Sequence, residues 1–183
     1  DPQQPSVENG LYPTQVTMTL GKNPKTERSV RWFTGAQVQN GAVQVSTSTD
    51  FSGAQTFKSD SSEVVKPRTK LNLGLVSSYG KQTVRKHSAT VTGLAENTAY
   101  YYRVGNAELD IWTEPVRFST GATGDDADTF SFLNVNDSQG MVKSDYATYL
   151  NTLSQANAAY PAATFVLNPG DLVDDAANED YWT

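Results

Sequence analysis

Ser88-Ala89-Thr90-Val91-Thr92-Gly93-Leu94-Ala95-Glu96-Asn97-Thr98-Ala99-Tyr100-Tyr101-Tyr102-Arg103-Val104-Gly105 is the stretch whose reading decides the fold. Ala89 and Val91 share one parity, as do Tyr100, Tyr102 and Val104, and a turn-rich segment from Gly93 to Thr98 separates the two runs. A period of two sends alternate side chains to opposite faces, so each run is predicted as a half-buried strand and not as a helix. Leu94 stands six residues before Tyr100. That spacing lets the tyrosine hydroxyl bond back to upstream backbone across the corner.

The alternation extends outward in both directions. Val16, Met18 and Leu20 share a parity, as do Val30 and Trp32, then Val43, Val45 and Thr47, and finally Val116 and Phe118. Gly, Asn, Pro and Ser clusters separate these runs, and residues 14–120 are predicted as an antiparallel β-sandwich. The stretch from Lys58 to Lys86 is polar, rich in Lys and Arg, and shows no clear strand boundary. Tyr100 and Tyr102 are expected in the core with Tyr101 outside, which argues against a three-tyrosine binding platform. His87, the only imidazole, shares parity with Ala89 and Val91 and reads as a packing residue more readily than as a ligand. With Trp32 on an early strand, the Leu94–Tyr100 corner resembles the fibronectin type III sandwich. The longer run from Ser88 to Gly105, with Trp112–Phe118 as a last strand, resembles the N-terminal domain of purple acid phosphatase-like proteins.

Composition bounds the chemistry. Among 183 residues there is no cysteine, which excludes disulfides, thiolate metal sites and thiol nucleophiles. Hydrophobic residues at 37% and aromatics at 10% suffice for a packed core. No apolar stretch approaches the roughly 18 residues of a membrane span. The chain opens Asp1-Pro2-Gln3-Gln4-Pro5 without an initiator Met. That opening reads as a mature terminus with a signal peptide removed, and an extracellular or cell-surface location is expected. The net charge of −6 is unevenly spread: 13 Lys and Arg face 10 Asp and Glu up to Thr120, but one Lys faces 10 acids from Gly121 onward. A surface so acidic repels polyanions, so nucleic acid is not an expected partner.

The second part has a different period. Residues 1–13 read as an N-terminal arm and residues 121–128, small and polar, as a linker into a second domain at 129–183. There Phe130 to Val135 is a near-continuous apolar strand of the kind buried on both faces. Ser144 can cap a helix carrying Tyr146, Tyr149, Leu150, Leu153 and Ala156 on one face, ended by Pro161. Thr164 to Leu167 is a second buried strand. The predicted unit is β-α-β, with parallel strands, a right-handed crossover and sheet faces that need further chain to cover them. The fold class is thus mainly β: a fibronectin type III-like sandwich followed by one β-α-β unit.

Each of these strands leads into an acidic motif, Asp137-Ser138-Gln139 after the first and Gly170-Asp171-Leu172-Val173-Asp174 after the second. Turns leaving strands are where open α/β sheets assemble their sites, and hard oxygen donors grouped there suit a metal ion. The pair resembles the calcineurin-like metallophosphoesterase superfamily. There the first motif is Asp-x-His, with Gln as a variant, and the second is Gly-Asp-x-x-Asp or Gly-Asp-x-x-Tyr. The resemblance implies Asp137 and Gln139 as ligands of one metal, Asp171 as a ligand bridging two, and Asp174 orienting the site from behind. It also implies a dinuclear centre of divalent or trivalent ions (Mn, Fe or Zn) that activates water against a phosphate ester.

Departures from that pattern matter as much. Gln139 offers a neutral oxygen where His is commoner. Asp174 stands where purple acid phosphatases have a metal-binding Tyr, so no purple charge-transfer centre is expected. The later Gly-Asn-His and paired-histidine motifs do not occur before Thr183, and the chain reads as a metallohydrolase cut off after its second motif, without turnover of its own. No catalytic residue is assigned within it. The alternative is a non-catalytic cell-surface adhesion module in which 14–120 is the working domain and the metal site is degenerate. Asn136-Asp137-Ser138 is formally a glycosylation sequon, but it overlaps a motif that must stay open. The run Asp174, Asp175, Glu179 and Asp180 reads by default as a solvated helix start.

Overall fold

The computed structural model describes residues 10–73, 76–121, 130–176, 178 and 181. These fall into two compact units, one drawn from residues 1–66 and 83–126, the other from 67–82 and 127–183. Strands β1 (Thr14–Leu20), β2 (Arg28–Gly35), β3 (Ala42–Ser46), β4 (Gln55–Lys58), β5 (Asp60–Leu73), β6 (Val76–Val91), β7 (Ala99–Asn106), β8 (Ile111–Trp112) and β9 (Val116–Ser119) build two sheets. One has the order β1-β2-β6-β5; the other has the order β4-β3-β7-β8, with β9 also paired to β7.

The predicted alternation is what joins the sheets. Val30, Trp32, Ala89 and Val91 from the first meet Val43, Val45, Tyr102 and Val104 from the second, and Leu94 closes the corner. Removing these apolar faces from water is the main stabilising contribution. The Ala95 amide donates to the Tyr100 hydroxyl at 2.9 Å, the corner bond expected from the spacing. Tyr102 is buried, while Tyr101 is half-buried and not fully outside as expected. The Trp112–Phe118 segment is not one strand but spans β8 and β9.

The stretch from Lys58 to Lys86, irregular in sequence, contributes to the two longest strands, of 14 and 16 residues. Val84 and His87 are both buried although their parities differ, so no single alternation runs through β6. β5 lies at a sheet edge, where Lys66 and Pro67 and exposed residues such as Val65 are tolerated.

His87 is fully buried and stacks on Trp32, with ring centroids 5.2 Å apart and planes 10° from parallel. The Thr34 hydroxyl donates to the Gly35 carbonyl at 3.2 Å, so it accepts from His87 Nε2–H at 2.9 Å. Nδ1 then accepts from the Ser59 hydroxyl at 3.1 Å. Burial, aided by the Arg85 charge, pushes the imidazole down to about 4. His87 is therefore a neutral core residue, as its parity suggests. Arg28 is buried too, and its guanidinium donates to the carbonyls of Pro24 (2.6 Å), Glu27 (2.7 Å) and Ser119 (2.6 Å), which ties β2 to β9 across the sandwich.

In the second unit β10 (Ser131–Asn134) and β11 (Ala163–Leu167) pair in parallel, joined by a 3-10 turn at Lys143–Asp145 and helix α1 (Tyr146–Ala159). Ser144 is not the cap. Asp145 occupies that position and turns its carboxylate backward, where Oδ2 accepts from the Met141 and Val142 amides at 3.0 Å each. None of the residues of α1 is buried. Phe132 and Phe165 are register partners and stack at 5.2 Å, yet each stays more than 40% exposed. The linker expected at 121–128 lies, beyond Gly121, outside the described residues, as do residues 1–9 of the expected arm. No helix among the described residues is long and apolar enough to cross a membrane.

Candidate metal centre

Pairing does not stop where β10 and β11 end. The Val135 amide donates to the Leu167 carbonyl at 3.1 Å, Asp137 to Gly170 at 3.5 Å, and Gln139 to Asp171 at 2.9 Å. Gly140 and Val173 then form an isolated parallel bridge, and the Asp174 amide donates to Gly140 at 3.4 Å. The two motif loops thus run side by side beyond the carboxyl ends of the strands. Asn168 starts the second loop with an Asx turn, its Oδ1 accepting from the Gly170 amide at 3.0 Å.

The backbone of both loops is unusual. Asp137, Gln139 and Asp171 have φ of 58°, 42° and 52°, in the left-handed region that side chains with a Cβ rarely occupy. Gly170, at φ 157°, supplies a conformation closed to most residues. Such local strain concentrates where a chain must aim particular side chains.

These turns bring Gln139 to Asp171 and set Asp137 and Asp171 on one hollow, which Gln139 does not line. Gln139 Nε2 donates to Asp171 Oδ2 at 3.3 Å, and Asn136 Nδ2 contacts Asp137 Oδ2. With its amide nitrogen so engaged, Gln139 keeps Oε1 for another partner. Asn136, Asp137, Pro169, Gly170 and Asp171 line an open hollow of about 330 Å³. Two exposed carboxylates and an amide oxygen are donors that suit a hard or borderline cation. Among the described residues no group of three or more His, Cys, Asp or Glu is placed to hold a metal; this trio has two carboxylates and a glutamine. Asp174 is exposed and joins the first loop through its backbone amide. Of the acidic run, Glu179 and Asp180 lie outside the described residues, and Asp174 and Asp175 do not begin a helix.

Three residues near these loops escaped the sequence reading. The Ser138 hydroxyl donates to the Leu172 carbonyl at 3.0 Å. Tyr146 and Tyr149, placed only on a helix face, reach the second loop with their hydroxyls. The one signal was Gly140 directly after Gln139, a position without a side chain against which a ring can pack.

Residues 13–120 match the family described as purple acid phosphatase, N-terminal domain. Among solved structures, a purple acid phosphatase from yellow lupin (Lupinus luteus) seeds is similar with a TM-score of 0.59 at 18% identity. That similarity covers 90% of this chain, and the chain spans 30% of the lupin protein's length. A computationally redesigned β-sandwich protein (TM-score 0.30, 18% identity, 61% of this chain and 96% of that one) is too distant to bear on the fold. The same holds for Astrotactin-2, a vertebrate-specific, perforin-like membrane protein (TM-score 0.33, 11% identity, 82% of this chain and 26% of that one). No curated protein matches this chain significantly.

Proposed function

We propose, since this chain belongs to the family of the purple acid phosphatase N-terminal domain, that it is the N-terminal portion of a secreted or cell-surface metal-dependent phosphohydrolase. The observation that carries this reading is that the loops bearing Asp137 and Asp171 line one hollow beyond the carboxyl ends of adjacent parallel strands, with Gln139 bonded to Asp171. Asp137, Gln139 and Asp171 would be the residues of this chain that hold a metal centre, with further ligands supplied from outside them. Asp174 orients the second loop through its amide. A pair of Mn, Fe or Zn ions, when bound, supplies an activated water and neutralises phosphoryl oxygens of a phosphate ester. The chain's own contribution is to hold oxygen donors in place before any cation arrives. The exposed Phe132–Phe165 face supports the same reading, because a parallel pair is ordinarily covered on both sides.

A second reading, a non-catalytic cell-surface module with a degenerate metal site, is favoured by one observation. Among the described residues only two carboxylates converge, and no larger ligand cluster forms. One experiment separates the two. The protein carrying any sequence that follows Thr183 is stripped with a chelator and assayed on a phosphate monoester and diester before and after adding Mn, Fe or Zn. Metal-restored hydrolysis that is lost in Asp171→Ala supports the phosphohydrolase. Absence of metal-dependent hydrolysis on either ester supports the binding module.

A further inference from the structure

We infer that Tyr146 and Tyr149, on the first turns of α1, are positioning residues that brace the two metal-site loops against each other. The inference rests on the phosphohydrolase reading for what the loops hold, but not for the brace itself. The two tyrosines are three apart in a helix and so share a face. Their hydroxyls reach opposite flanks of Asp171. Tyr146 Oη lies 3.0 Å from the Leu172 carbonyl, the residue after Asp171, and the Ser138 hydroxyl reaches the same carbonyl at 3.0 Å. Tyr149 Oη accepts from Asn168 Nδ2 at 3.3 Å, and Asn168 in turn holds the Gly170 amide.

The first loop is gripped by the same ring. A Cβ built on Gly140 would lie 2.4 Å from Tyr146 Cε2 and Cζ, so the phenol lies flush on the backbone next to Gln139. Its hydroxyl is also 3.3 Å from the Gly140 carbonyl and 3.5 Å from that of Tyr181. A single O–H proton cannot serve three acceptors at full strength, and the shortest contact goes to Leu172. Partial burial and the neighbouring Asp145 charge push the Tyr146 phenol up, which keeps it a donor. Because Asp137, Gln139 and Asp171 occupy left-handed backbone, the loops need outside support to keep that geometry. Groups behind metal ligands typically change metal affinity about 10–100-fold when removed.

The test uses the isotopically labelled 183-residue chain, with amide hydrogen exchange measured without metal and Mn2+ affinity read from paramagnetic broadening. Tyr146→Phe keeps the ring and removes the hydroxyl; Ser138→Ala removes the other donor to the same carbonyl; Asp171→Ala is the control for metal binding. In Tyr146→Phe the Gln139 and Asp174 amides are expected to exchange faster, and Mn2+ binding to weaken about tenfold, with the melting temperature of the sandwich unchanged. Unchanged exchange and affinity in both hydroxyl variants overturn the brace. Where Asp171→Ala abolishes Mn2+ binding, faster exchange with unchanged Mn2+ affinity overturns the positioning role, since the hydroxyl is then only structural. If Asp171→Ala binds Mn2+ as well as the parent does, the metal reading fails, and the metal-free exchange still judges the brace.

Discussion

The amide nitrogen of Gln139 and Oδ2 of Asp171 lie 3.3 Å apart, across loops whose residues stand 32 positions apart in the chain. This single hydrogen bond orients the glutamine. With its nitrogen turned to Asp171, its oxygen suits the ligand role we propose for it, as a neutral donor beside ionised ones.

Gln139→Glu tests that arrangement. A carboxylate facing Asp171 repels it without metal and adds a charged ligand with metal, and ligand charge is one lever that sets cation affinity. Mn2+ binding is expected to tighten about tenfold, while the metal-free loops exchange faster. Mn2+ titration followed by amide broadening measures the first, and amide hydrogen exchange without metal the second.

His87 makes the sandwich acid-sensitive. Its pKa falls from 6.5 to about 4 on folding, so the unfolded chain takes up the proton first as pH drops. Its contribution is fully present above pH 6.5 and is lost as pH falls from there through about 4. The loss is on the order of 3 kcal/mol. Denaturant unfolding between pH 7 and 3.5 is expected to show this extra slope in the parent and not in His87→Gln.

Arg28 reaches the second sheet through the Ser119 carbonyl and holds the Pro24 and Glu27 carbonyls of its own turn, so its charge is partnered by dipoles, with no carboxylate among those contacts. Arg28→Met keeps the volume and leaves those oxygens without the guanidinium. Hydrogen bonds to charged groups are individually strong, and a loss of about 3 kcal/mol is expected by urea denaturation.

Tyr100→Phe removes the corner bond from the Ala95 amide while keeping the ring that stacks on Phe118. The expected loss is about 1 kcal/mol, with the unfolding cooperativity unchanged.

Much of the sandwich was legible because it rests on parity. Val30, Trp32, Val43, Val45, Tyr102 and Val104 alternate cleanly, and each faces the core. The β5–β6 pair was not legible, because an edge strand tolerates polar residues on both faces and because buried Val84 falls out of the parity that His87 keeps with Ala89 and Val91 within β6. In the second unit the strands and their motifs could be read from apolar runs ending in acidic turns. The helix cap could not: Ser144 has the right chemistry, but Asp145 takes the cap position and its carboxylate binds two upstream amides. The left-handed backbone at Gln139 has no signature in composition. Tyr146 was hidden for a similar reason, since its partners at Gly140 and Leu172 are brought to it only by the fold.

The measurement that tests the central claim most directly is a map of Mn2+-induced broadening over the amides of this chain. The expected result is broadening centred on residues 136–140 and 170–174, absent from the sandwich strands and abolished by Asp171→Ala. No broadening there at millimolar Mn2+, or broadening that survives Asp171→Ala, would contradict the assignment of these loops as a metal site.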